Sequence, residues 1–127
     1  MSYLTDIGAY LQANGVTGTI YYEVLDEIQD NCIAISDYQG FNEYETQDGG
    51  GPDQQNINII VRNTDSETCW TNAEQIYRLL REHYNETIGS TFFMELTAKG
   101  PHTFLSRTPS NAFQRTINFY SKYINGA

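Results

Sequence analysis

The 127-residue sequence predicts an α+β fold: a single antiparallel or mixed sheet of four to five strands with two helices packed on one face, in the order α-β-β-β-α-β-β. Three observations predict it. Two segments, 3–13 and 65–84, carry apolar residues at helical spacing, and five others alternate apolar and polar residues with period two. The segments between them are rich in Gly, Pro, Asn and Asp, which interrupt regular structure. We find no internal repeat. Each element needs the others to cover its apolar face, so residues 1–127 read as one domain.

Residues 3–13 place Leu4, Ile7, Tyr10 and Leu11 on one helical face. Ser2 is available as a cap, and Gly15 can take the left-handed C-terminal position. In TGTIYYEV, 17–24, Ile20, Tyr22 and Val24 share one strand face, with Tyr21 and Glu23 on the other. CIAISD, 32–37, is a second strand with Ile33 and Ile35 together, and NINIIVR, 56–62, a third with Ile57, Ile59 and Val61 inward. The second helix, about 65–84, opens on a Thr64–Glu67 capping box. Its stripe is Cys69, Trp70, Ala73, Ile76, Tyr77, Leu80 and Tyr84. TFFMELTA, 91–98, alternates loosely. FQRTINFYSKYI, 113–124, alternates well, although Arg115 and Ser121 interrupt the face of Phe113, Ile117, Phe119 and Tyr123. Between these strands, KGPHTFLSRTPSN reads as a polar linker with two prolines and one apolar pair, Phe104-Leu105.

Composition narrows the function. A formal charge of −9 with seven Lys and Arg argues against a nucleic-acid binder, whose affinity comes from cations neutralising phosphates. The same balance argues against an anionic membrane surface, and no stretch is long and apolar enough to span a bilayer. The start, MSYLTDIGAYLQ, lacks the basic n-region and apolar run of a signal peptide, so the product is expected in the cytoplasm when made. The two cysteines, Cys32 and Cys69, form no framework and are expected reduced and buried.

Chemistry-bearing motifs are sparse. The Cys/His inventory of Cys32, Cys69, His83 and His102 shows no catalytic spacing: Cys69 falls on a helix stripe, and His83 falls in the expected last turn of that helix, where a cation suits the dipole. Zinc needs closely spaced ligand pairs, and none occurs. The stretch DYQGFNEYETQDGGGPDQQ, 37–55, is acidic, aromatic and glycine-rich. Its Glu43, Glu45 and Asp48 do not continue into a calcium loop with a terminal Glu. Its three glycines lack the Lys-Ser/Thr of a phosphate loop. It therefore reads as a flexible acidic loop, about 38–54, that orders on a partner and buries Phe41, Tyr44 and Pro52.

Two runs are more specific. INIIVRNTDSETCWTNAEQIYRLL joins a strand ending Val-Arg to a short polar cap and a helix ending Ile-Tyr-x-Leu-Leu. PHTFLSRTPSNAFQRTINFYSKY joins a proline, an apolar pair and an arginine-containing turn to a long strand with Asn-Phe. Together with the N-terminal helix and the DYQG ending of the second strand, they resemble the tail terminator proteins of long-tailed bacteriophages, a grouping that includes minor capsid and tail completion proteins. The resemblance covers most of the chain in element order. The loop at 38–54 departs from it, since its length varies among such proteins.

The resemblance implies a structural virion protein and not an enzyme, with no cofactor and no metal. It implies a ring, usually hexameric, that caps the head-proximal end of the tail tube, stops polymerisation and presents a surface to the head connector. The implied partners are further copies of itself, the tail tube protein and the head completion protein. DNA passes through such a ring without sequence-specific binding, and an acidic lumen would repel it and let it slide. A neighbouring head–tail joining protein with a similar fold is a related reading. The expected contact residues are Phe41, Tyr44, Glu45, Asp48 and Pro52 in the loop, with Tyr21, Glu23 and Tyr120 (beside Asn118) on strand faces turned from the apolar set. The alternative is a small ligand- or metal-binding α+β domain or enzyme with its site at 37–55.

Overall fold

The computed structural model describes residues 3–23, 30–38 and 53–125. The elements are α1 (Tyr3–Ala13), β1 (Thr19–Tyr22), β2 (Cys32–Tyr38), β3 (Asp53–Asn63), α2 (Ser66–Leu80), β4 (Glu82–Ile88), β5 (Thr91–Ala98), β6 (Thr103–Arg107) and β7 (Phe113–Asn125). They form one mixed sheet in the order β1-β2-β3-β7-β5-β4, with β6 also paired to β7. Only β1 and β2 run parallel; the other pairs are antiparallel.

This corrects the expected sheet of four to five strands and the order α-β-β-β-α-β-β: the described residues hold seven strands, and four of them follow α2. The first missed strand, β4, occupies what the helical stripe claimed. Leu80 and Tyr84 are four apart and mimic one more turn, but α2 ends at Leu80 and residues 82–88 pair with β5. Apart from half-buried His83 and buried Ile88, β4 is exposed, so it carries no alternation to reveal it. The second, β6, was hidden for the same reason. It buries no side chain, and Pro101 and Pro109, which marked a linker, stand just outside it.

The strand faces otherwise follow the sequence pattern. The register sets Ile33 against Val61, Ile35 against Ile59, Ile57 against Phe119 and Ile59 against Ile117, so one face is continuously apolar. Both helices pack into the single core on that face. α1 contributes Leu4, Ile7 and Leu11, and α2 contributes Cys69, Ala73, Ile76 and Leu80. Trp70, placed on the stripe by periodicity, is about half exposed instead. The cap of α2 is Asp65, which accepts from Thr68 N at 2.9 Å, one residue later than the expected Thr64 box. At the end of α1, Gly15 adopts φ 93° as expected of a left-handed C-terminal residue. Cys32 and Cys69 are buried thiols, and burial pushes the Cys69 thiol up.

The two interruptions of the β7 face find partners. Ser121 Oγ donates to Gln55 O at 2.9 Å, and Arg115 Nε donates to His102 Nδ1 at 2.7 Å. A third buried polar group ties α1 to the distant strands. Asp6 accepts from Ser90 N, Ser90 Oγ and Thr91 Oγ1 at the β4–β5 turn.

Candidate assembly interface

The helices cover one face of the sheet. On the opposite face the register aligns short amides and hydroxyls: Asn56, Asn58, Thr116, Asn118 and Tyr120, with Tyr38 in the row of Asn56 and Tyr120. Asn58 Nδ2 donates both to Thr116 Oγ1 at 2.6 Å and to Asn118 Oδ1 at 3.0 Å, so these side chains brace one another across strands. Tyr120 is half-buried; burial, then the nearby Glu95 charge, raise its hydroxyl above the ordinary tyrosine value. Tyr38 is 40% exposed, with Lys99 Nζ 5.6 Å from its ring centroid.

Of the expected contact residues, Tyr21 and Tyr120 share this open face. Tyr21 lies in the row of Ala34, Ile60 and Thr116, so the register sets it and Tyr120 about 20 Å apart. They occupy one surface without forming one cluster. Glu23 lies just past β1 with φ 66°, so strand alternation does not place its side chain. Phe41, Tyr44, Glu45, Asp48 and Pro52 lie outside the described residues.

At its far end the open face closes on a buried pair. Arg62 Nε and Nη2 both donate to Gln114 Oε1, at 3.1 and 2.9 Å, and Gln114 Nε2 donates to Ser106 Oγ at 2.8 Å. This chain joins β3, β7 and β6. Beside it is a depression of about 250 Å³, whose lining includes Thr17, Asn31, Ile33, Arg62, Asn63 and Asn72.

The helix side carries a second surface, which pattern reading passed over. Phe104 and Leu105 of β6 are 54% and 46% exposed, and Trp70 of α2 is 49% exposed. Phe104 faces Arg115 in the register, Arg115 reaches His102, and the His102 ring meets Trp70 edge-on at 5.2 Å. His102 also lies 2.9 Å from Glu74 Oε1, and Arg78 Nε lies 2.6 Å from Glu74 Oε2. Arg107 stacks over Phe113 at 4.5 Å. The signal available in the sequence was the Phe104-Leu105 pair standing in an otherwise polar segment.

The two lateral ends of the sheet differ. β1 is a short parallel strand with four residues, whereas β4 at the other end is antiparallel, largely exposed and interrupted at Asn85, which has φ 51°. Among the described residues, neither pairs on its outer side.

A sequence-family model described as bacteriophage tail terminator protein matches residues 10–124. A search of curated proteins returned no match.

Proposed function

The chain belongs to the bacteriophage tail terminator family and is a structural component of the phage virion, and from that premise we propose that it forms a ring closing the head-proximal end of the tail tube. In this role it ends tube polymerisation and offers the surface on which the head is attached. The observation that carries the reading is the pair of unlike sheet ends, β1 and β4. A cyclic ring is built from heterologous contacts, in which two different patches of one subunit meet, and a sheet with dissimilar ends supplies two such patches. The open amide-rich face with Tyr21 and Tyr120 lies between them and serves as the lumen or the tube-facing surface. Neither role requires cations, and the chain has few.

The test has two arms. Light scattering after gel filtration is expected to give a discrete multiple of the monomer mass, six in the family's usual ring. Added to polymerising tube protein, the chain is expected to shorten the tubes in proportion to its concentration. A monomer at high concentration that also leaves tube length unchanged would rule the reading out.

A further inference from the structure

We propose that the exposed Trp70–Phe104–Leu105 patch receives the acidic, aromatic segment 38–54 of a neighbouring copy, with Phe41 and Tyr44 seated on the patch. The inference rests on the ring reading and names one contact within it. Large exposed apolar side chains on one surface mark an interaction site; Phe104 and Leu105 are consecutive in β6, and Trp70 is linked to Phe104 through the His102 ring and Arg115.

Charge selects the occupant. The chain has a formal charge of −9 and only seven Lys and Arg, yet Arg115 pairs with Phe104 in the register and Arg107 lies three residues further along β6. Between β2 and β3 this segment carries Glu43, Glu45 and Asp48 and no cation, together with Phe41 and Tyr44. Opposite charge around an apolar centre fixes the orientation of such a contact and speeds its encounter.

Geometry selects a neighbouring copy over the same chain. Tyr38 ends β2, and Phe104 lies three strands across and five residues along, which sets it about 22 Å away. Phe41 is three residues beyond Tyr38 and so reaches only about 11 Å, while Tyr44 approaches that distance only with every residue fully extended. One chain therefore cannot seat both aromatics on its own patch.

The experiment uses the full chain and a fluorescein-labelled peptide of residues 37–55. Anisotropy is expected to rise saturably, and binding to weaken at least tenfold in the Phe104→Ser/Leu105→Ser variant. Both side chains are exposed, and circular dichroism verifies that the variant is folded. Arg107→Glu is expected to weaken binding and flatten its salt dependence. No binding, or equal binding by the variant, overturns the proposal, as does a patch that takes purified tube protein but not the peptide. Differently tagged Phe41→Cys and Leu105→Cys chains, co-expressed, purified and oxidised with glutathione disulfide, are expected to give a disulfide linking one tag to the other, which these single variants can form only between copies. A ring by light scattering without that link overturns the docking and leaves the ring standing; peptide binding by a chain that stays monomeric removes the ring and keeps the patch.

Discussion

Arg115 Nε donates to His102 Nδ1 at 2.7 Å, which leaves the Nε2 hydrogen of the neutral ring directed at Glu74 Oε1, 2.9 Å away. A sheet residue and a helix residue are thereby joined through one buried imidazole, and Trp70 closes over it. His102→Ala is expected to leave the Arg115 donor without its partner and to cost about 1–3 kcal/mol, the range for an unsatisfied buried polar group. Urea unfolding would measure it. His102→Asn retains a donor and an acceptor and is expected to recover part of the loss, whereas equal losses for both variants would reduce His102 to a space-filling role.

The same network sets an acid response. Burial alone would raise the Glu74 carboxyl, but hydrogen bonds from His102 and Arg78 outweigh it and hold the group below its ordinary value of 4.5. A depressed carboxylate contributes stability above its unfolded value, and that contribution disappears as pH falls through the lower folded value. The chain is therefore expected to lose stability below about pH 4.5 more steeply than Glu74→Gln does, as read from urea midpoints between pH 3 and 6.

Asp6 is buried in α1 and accepts three hydrogen bonds from Ser90 and Thr91, the shortest at 2.6 Å. Gly89 makes the approach possible: it has φ 61°, and a Cβ there would lie 2.3 Å from Asp6 Oδ1. Asp6→Ala is expected to cost about 2–3 kcal/mol, at the upper end for hydrogen bonds to a charged group. Amide exchange at Ser90 and Thr91 should quicken before exchange in β3. Unchanged protection there would mean that α1 is held by its apolar face alone.

Gly8 in α1 packs against the Tyr22 side chain of β1. A Cβ would lie 1.9 Å from the Tyr22 hydroxyl and 2.8 Å from the ring carbon that bears it. Gly8→Ala is thus expected to destabilise by about 1–3 kcal/mol through overpacking, against the usual gain from placing Ala in a helix. Tyr22→Phe removes the nearer atom and is expected to restore part of the melting temperature.

Tyr3 and Tyr123 stack with ring centroids 4.0 Å apart, and the Tyr3 hydroxyl donates to Asp37 Oδ2 at 2.7 Å. Burial first, then Asp37, raises the Tyr3 hydroxyl far above its usual range. Burial, then the charges of Asp53 and Asp37, pushes Tyr123 up to about 12. Groups raised on folding contribute stability that is present below the unfolded value of 10.0 and lost as pH climbs through the folded one. Stability is expected to fall from about pH 10 upward, and the Tyr3→Phe/Tyr123→Phe variant to fall less steeply, both followed by denaturant midpoints.

The sequence by itself determined the apolar face of each buried strand, the inward side of both helices and the Gly15 turn. These follow from periodicity and from backbone preference, which are local. The resemblance in 57–80 and 101–123 also led to the tail terminator family, because those runs carry a particular order of strand, cap and helix. Only the tertiary structure decided that 82–88 and 103–107 are strands. They lie at the margins of the sheet with few buried side chains, and backbone pairing to β5 and β7 defines them. It also decided that Arg115 and Ser121 belong inside, since their partners His102 and Gln55 come from other parts of the chain. Tertiary structure likewise turned Trp70 outward beside Phe104 and Leu105. Cys69 is fully buried against β3 and β7, and Trp70, one residue on, is turned about 100° around the helix axis to the rim of the core.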